Sequence, residues 1–431
     1  MGSEEIYVSI AGGPAKRYGT FTPELHRLRD DLLAQGVDTF AMEFTGVYWM
    51  PLYVILEQTK IRVCLVNGGH VKNVPGRKTD VADCMWLAEL HSHGLLRPGF
   101  VPSPEIRRLR DFVRQRDNIL TQSGSHLLRA QKAMELMNIK VHDVISDIAG
   151  VSGQRMIRAI LGGERNVEKL VDLCETSILR KKRAKLCDAL QGTWDSQHLF
   201  ALGQSWKAWE FCHEQVRECD QEIEKVLLEM AEAAKPGGDE TAEDDSKKKK
   251  ASKNAPKILH LHETLVKIMG GKDPTRIPGL TDYSVLQLLS EVGTDLSCFP
   301  TFKHFTAWCG LAPGSRNSGK SRRNVSRKGG RAGRHFKMVA QTVGNGTKSA
   351  LGAFYRRVRA VSGGLVACKA LGRKLAELYY RVMTQGLKYV EGGVEKAQKR
   401  FIEEAHKRLE RAAQKLGYVL VSKVKDTPSA T

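Results

Sequence analysis

What this 431-residue chain lacks already narrows what it can be. Its nine cysteines include no C-x-x-C pair. A disulfide framework and a cysteine-ligated zinc site are therefore not expected, and reduced thiols of a cytosolic protein are. The sequence contains no apolar run of the roughly 18 residues needed to span a bilayer, and no signal peptide opens it. Both absences predict a soluble, intracellular protein with no membrane partner. Acid is missing altogether from Gly314 to Phe336. Positive charge is in excess: 68 lysines and arginines against 48 acids give a formal net charge of +20. Such a balance predicts a polyanionic partner, most simply nucleic acid. At 41% apolar and 27% charged residues the chain is globular, and its length allows two or three domains.

The first hundred residues alternate strand and helix patterns. "EIYVSI" and "KRYGTF" read as short strands about the turn at Gly12-Gly13-Pro14. "TPELHRLRDDLLAQG" reads as a helix with Thr22 as N-cap, Pro23 at its first position and Gly36 at its end. "VDTFAMEF" and "IRVCLVN" read as buried strands on either side of the helix "VYWMPLYVILEQT", and a further helix runs from Val81 to His91. This order predicts an α/β sheet. From Pro104 to about Asn138 the apolar residues recur at helical intervals, predicting a long amphipathic helix of coiled-coil type. "KAWEFCHEQVRECDQEIEKVLLEMAEAA" is its expected antiparallel mate. Residues 140–205 are helix-rich and yield no role. Lys235 to Lys257 hold almost no apolar residues, so this stretch is expected to be a disordered linker. Helical patterns resume at Ile258, with a tight turn at Pro278-Gly279, and a charged amphipathic helix follows from Glu395. The expected domains are thus 1–103, 104–234, a linker 235–257, 258–392 and a helical tail 393–431.

Two groups of residues carry chemistry. Asp80 and Asp83 are three apart at a helix start, hence neighbours on one face, where the helix dipole favours their ionisation. Glu43 stands near the C-terminal end of an apolar strand, where open α/β sheets assemble their sites. Taken singly, the aspartates suit any helix's first turn and Glu43 suits a surface strand end. Taken with Arg77 and Lys78 just upstream, the three carboxylates suit Mg²⁺ (or Mn²⁺) and phosphodiester chemistry. The second group is the acid-free loop. It carries Arg316, Lys320, Arg322, Arg323, Arg327, Lys328, Arg331 and Arg334, and it interleaves Ser315, Ser318, Ser321 and Ser326 with glycines. Arginine forks and exposed backbone amides bind phosphate, and any one of the serines would serve as a nucleophile on phosphorus. The alternative is a solvated basic loop that binds nucleic acid without chemistry. The turn "RIPGLT" resembles a helix-hairpin-helix turn, a further phosphate-binding device.

"MEFTGVYW", "VNGGHVKNVPGRKTDVADCMWLAELHSHGLL", "IPGLT" and "FTAWCGLAPGSRNSGK" together resemble the transposases of the insertion-sequence one-ten family, the bridge-RNA-guided recombinases. The resemblance covers residues 1–135 and 260–390; residues 140–205, the linker and the tail depart from it. It implies an N-terminal RuvC-like domain of ribonuclease-H type, long coiled-coil helices and a mainly α C-terminal serine transposase domain. It places the glutamate and the last two aspartates of a Mg²⁺-binding DEDD tetrad on Glu43, Asp80 and Asp83. It places the nucleophile on Ser318, in the Ser318-Gly319 pair that follows Gly310-Leu311-Ala312-Pro313. Further implications are a covalent phosphoserine link to DNA, target and donor duplexes paired with a structured guide RNA, and a homo-oligomer, dimer or tetramer, whose composite site draws on two protomers. Association with the bacterial nucleoid follows from the same likeness.

In one respect the sequence departs from the family. Members open with a strand whose aspartate is the first of the tetrad, whereas this chain begins "MGSEEIYVSI", which aligns with the residues just after it. The resemblance thus implies a start placed downstream of that strand, with Glu4 and Glu5 poor substitutes for its aspartate. Two other functions therefore stand beside the recombinase: a RuvC-like hydrolytic nuclease or resolvase, and a nucleic-acid-binding protein impaired in catalysis.

Overall fold

The computed structural model describes residues 2–44, 46–68, 79–234, 253–313, 315–318, 321–324, 329–346 and 349–419, without the side chains of 315–318, 321–324, 387–398, 401 and 405. The chain divides into two compact units, Met1–Pro102 and Ser103–Thr431.

In the first unit, strand β1 (Glu5–Val8) pairs antiparallel with β2 (Lys16–Gly19). Ile6 and Val8, two apart, point to the core, and the chain reverses through Ala11 and Gly12 at positive φ. Helix α1 (Thr22–Ala34) covers this pair with Leu25, Leu28 and Leu32, spaced three and four apart. Thr22 is the first helical residue and not the cap. Phe21 holds that position without a side-chain bond, and Pro23 occupies the first turn, where its missing N–H is no loss. Strand β3 (Thr39–Phe44), helix α2 (Trp49–Glu57) and strand β4 (Arg62–Asn67) form a β-α-β crossover. Its strands are parallel, with Thr39 against Arg62 and Phe44 against Asn67. Leu52 and Leu56 of α2 meet Met42 and Leu65 in the same apolar cluster as α1. Helix α3 (Asp80–Ser92) completes the unit.

Among the described residues, the single sheet expected from the strand order is absent. The first unit instead holds two separate two-stranded pairs, β1 with β2 and β3 with β4. No described strand lies between β1 and β3, so the β-α-β pattern predicts the local elements correctly but not their joining.

The described part of the second unit is helical apart from one hairpin. Helix α4 (Pro104–Leu136) runs against helix α9 (Ser196–Ala233). Arg108 meets Glu229, Arg116 meets Asp220 and Ser123 meets His213; one number rises as the other falls, so the pair is antiparallel. The intervening chain makes four shorter helices: α5 (Val141–Val144), α6 (Val151–Leu161), α7 (Val167–Asp172) and α8 (Thr176–Ala189). They close on Met134, Ile139, Ile157, Leu170, Leu186 and Trp206 to form a core of their own at one end of the pair. Residues 140–205 are therefore a packed helical cap. Residues 253–257, expected in the linker, are packed as well. Lys253 Nζ lies 2.6 Å from Asp147 Oδ1, and the Lys257 amide donates to Asp220 Oδ2 at 3.1 Å. Residues 235–252 of the expected linker lie outside the described residues.

Helix α10 (Leu261–Ile268) and helix α11 (Asp282–Val292) follow, separated by a 3-10 turn at Pro274–Arg276. The helix expected to enter the Pro278-Gly279 turn is only that short turn, because Pro274 and Pro278 both interrupt the ladder. Beyond lie helix α12 (Phe302–Trp308), strands β5 (Ser315–Ser318) and β6 (Ser321–Asn324), helix α13 (Arg331–Asn345), helix α14 (Ala350–Ser362), helix α15 (Gly364–Gln385) and helix α16 (Leu387–Lys415). Phe305 of α12, Phe336 of α13 and Tyr379 of α15 pack ring on ring at their centre.

Candidate active site

The three sequence-predicted carboxylates fall in the first unit. Glu43 is the second-last residue of β3, opposite Val66 of β4. Gly68 follows β4, and a Cβ built there would stand 1.9 Å from Glu43 Oε1. The Glu43 carboxylate thus lies directly over the Gly68 backbone, where any side chain would displace it. Asp80 and Asp83 occupy the first turn of α3, whose N-cap Thr79 accepts the Ala82 amide through Oγ1 at 3.3 Å. Asp80 is exposed and Asp83 half-buried, and neither carboxylate has a hydrogen-bond or ion-pair partner among the described residues.

All three acids line one cavity of about 300 Å³. Its walls are Glu5 to Gly12 on one side, Thr39 to Glu43 on the other, and Cys84, Leu87, Ala88 and His91 of α3. On a strand's face only alternate residues would line a cavity. Here consecutive residues do, so the cavity runs along the open edges of β1 and β3. His91 Nε2 is 2.9 Å from Thr39 Oγ1, and burial lowers the His91 pKa, holding the ring neutral near neutral pH. Burial raises the Cys84 thiol. Nothing in the sequence pattern singled out this wall, because it is made by two strands distant in the chain.

Three hard oxygen donors on one cavity are the donor type a hard divalent cation takes. Their ligand atoms do not all lie within 4.8 Å of one another; among the described residues only those of Glu135, His142 and Asp143 do. That cluster sits at the α4–α5 junction, with Lys140 Nζ 3.4 Å from Glu135 Oε1, so a lysine already balances part of its charge. Arg77 and Lys78 lie outside the described residues.

The serine loop falls in the second unit and is a β-hairpin. Ser315 pairs with Asn324, Arg316 with Arg323, Asn317 with Arg322 and Ser318 with Ser321. Alternation therefore puts positions 316, 318, 321 and 323 on one face of the hairpin and position 322 on the other. Lys320, Arg327 and Lys328 lie outside the described residues. The segments flanking the hairpin meet each other. A Cβ on Gly333, in the first turn of α13, would stand 1.9 Å from the Cys309 carbonyl oxygen, and one on Gly329 2.7 Å from it. The end of α12 and the start of α13 are therefore in backbone contact, with Arg331 and Arg334 in an acid-free first turn. That turn carries the positive end of the helix dipole.

A buried polar network in this unit escaped sequence reasoning. Arg116 Nε donates to Asp220 Oδ1 at 2.5 Å and its Nη1 to Tyr283 Oη at 2.9 Å, while Tyr283 Oη donates to Asp117 Oδ1 at 2.7 Å. Arg110 donates to the Ser290 and Glu291 carbonyls and Arg114 to the Glu291 carboxylate, tying α4 to α11. Desolvation draws the Arg110 guanidinium down to about 10, still charged at neutral pH. The signal was available: Arg116 and Asp220 both fall on apolar stripes of their helices.

A carboxylate-lined cavity in the first unit and a basic, serine-bearing hairpin in the second are features that suit an enzyme acting on nucleic-acid phosphodiesters. Residues 15–139 match a family model described as a transposase, of the IS110 type with a DEDD domain. Residues 275–356 match a second, described as a transposase of the IS116/IS110/IS902 family. The chain belongs to the IS110 family of transposases. Glu43, Asp80 and Asp83 lie within the first match and Ser318 within the second, while residues 140–274 lie in neither. The first match implies a RuvC-like N-terminal fold. No curated protein matches the chain.

Proposed function

We propose that this transposase is a site-specific DNA recombinase guided by a structured RNA, working through a phosphoserine intermediate. The observation that carries the reading is the convergence of Glu43, Asp80 and Asp83 on one cavity. These three residues would hold Mg²⁺ or Mn²⁺. When bound, the ion acts as a Lewis acid on a phosphoryl oxygen. Ser318 attacks phosphorus: its Oγ–P bond forms, the P–O bond to the neighbouring deoxyribose breaks, and the released hydroxyl takes the proton. Attack by a deoxyribose hydroxyl of the second duplex reverses the step, restoring the serine and exchanging the strands. The number of phosphodiester bonds is conserved, so no external energy source is needed.

Arg316 and Arg323, opposite each other across the hairpin, hold the phosphate whose charge separates them. Arg322, Arg331 and Arg334, with Arg77, Lys78, Lys320, Arg327 and Lys328, grip flanking backbone. The protein works as a homo-oligomer, dimer or tetramer, on target and donor duplexes paired with its guide RNA, in the nucleoid.

Asp80→Asn or Asp83→Asn will abolish strand exchange and largely spare RNA binding; equal activity of these variants refutes the metal assignment. Ser318→Ala separates this reading from a hydrolytic nuclease. A recombinase loses its covalent protein–DNA adduct on denaturing gels, whereas a nuclease goes on cutting.

A further inference from the structure

Helices α14 and α15 form a hairpin whose base is buried and whose tip is bare. At the base, Tyr355 packs so closely on Gly344 of α13 that a Cβ there would stand 2.5 Å from the ring. Ala367, Leu371 and Leu375 of α15 are fully buried. At the tip, Val361 is 85% exposed and Leu365 90%, beside Val366. The two glycines between them leave the tip narrow: a Cβ on Gly363 or Gly364 would meet nothing within 4 Å.

The surroundings of these apolar residues identify their partner. From Lys348 to Ala376 the sequence holds seven basic residues and no acid. Arg357 and Arg359 are exposed on α14 just before the tip. No acid lies in the last turn of α14 or the first turn of α15, so the charge at the tip is set by the arginines. A protein-docking patch of this kind would be larger, since stable interfaces bury on the order of 1,000 Å² or more. A basic rim, here Arg357 and Arg359, would also repel the same patch on a second copy of this chain. A small apolar point between cations is instead the form taken by side chains that enter a base step while lysines and arginines hold the flanking phosphates.

We infer that the α14–α15 tip is a wedge that inserts Val361 and Leu365 between base pairs of duplex DNA, with Arg357 and Arg359 on the adjoining phosphates. The wedge locally unstacks the duplex, which is the deformation a strand-exchanging enzyme requires before strands separate. The inference depends on the chain acting on DNA and not on the serine or metal assignments.

Short DNA duplexes carrying 2-aminopurine at several steps, bound to the full chain, test it. Binding will raise the 2-aminopurine fluorescence several-fold. Val361→Ser combined with Leu365→Ser will remove the rise while leaving the thermal midpoint unchanged and DNA affinity within about threefold, because most affinity comes from phosphate contacts. Arg357→Gln combined with Arg359→Gln will instead weaken binding and reduce the slope of log K against log salt by about 2, because two phosphates are no longer neutralised. The inference is overturned by saturated binding without a rise, or by a rise that survives the serine pair. A response confined to duplex RNA overturns it too, as does a serine pair whose effect is on sedimentation of the DNA-free protein.

Discussion

Gly333 shows how far a single hydrogen in place of a methyl group can decide a site. Its position against the Cys309 carbonyl leaves 1.9 Å for a Cβ, and the obstacle is backbone, which cannot swing aside. Gly333→Ala will destabilise the protein by about 1–3 kcal/mol, the usual range for overpacking, measured as a lowered urea midpoint at constant slope. Gly68 makes a different case, because its neighbour is the Glu43 side chain itself. Gly68→Ala will push the carboxylate from the cavity and reduce strand exchange by about 10²-fold, the usual penalty for misplacing a reacting group by an ångström. Circular dichroism and the thermal midpoint will stay close to those of the parent. His262 supplies the pH dependence. Its Nδ1 lies 2.8 Å from Asp282 Oδ1, and that hydrogen bond, followed by the charges of Asp273 and Asp282, raises its pKa above the ordinary histidine value. A raised folded-state pKa stabilises fully below the unfolded value and is lost as pH rises through the folded one. The thermal midpoint of His262→Gln will therefore fall below the parent's in acid, and the difference will close at alkaline pH.

The elements show which parts of the fold were legible in the sequence. The helix from Pro104 was, since 33 residues of helical periodicity carry a strong local signal. Strands β1, β3 and β4 were, as short runs rich in β-branched and aromatic residues, and β2 was as the segment that follows the turn after β1. Their division into two pairs was not, because strand pairing joins residues distant in the chain and leaves no periodic trace. The cap formed by α5 to α8 was legible only as helix-rich, because its short helices bury their apolar faces on each other and on the ends of α4 and α9, residues distant in the chain. Of the site, Glu43, Asp80 and Asp83 were legible as carboxylates at element ends, while the strand edges that form the cavity wall were not. The α4–α9–α11 network can be tested as a unit. Arg116 and Asp220 have side chains 2% and 7% exposed, so removing either leaves a buried charge alone. Arg116→Ala or Asp220→Ala will cost about 3–5 kcal/mol, whereas replacing both with Met and Leu will cost far less, as read from denaturant midpoints.

At the scale of the whole molecule, a net charge of +20 sets the conditions under which any of this can be measured. If the hairpin and α13 contact about 6–10 phosphates, affinity for DNA will fall roughly 10³–10⁵-fold between about 50 and 200 mM salt. A flat response would contradict the phosphate-gripping role of the basic hairpin. The two β-pairs of the first unit have a different consequence. Between them, two rows of peptide N–H and C=O groups look across a gap with no described strand to satisfy them. Amide groups in such a position recruit any extended chain that comes near, including one from another molecule, and natural proteins usually blunt edges of this kind. Handling the protein will therefore be a race between useful folding and adhesive self-association, won at low concentration. The deuterium uptake of β1 and β3 will report which side is ahead.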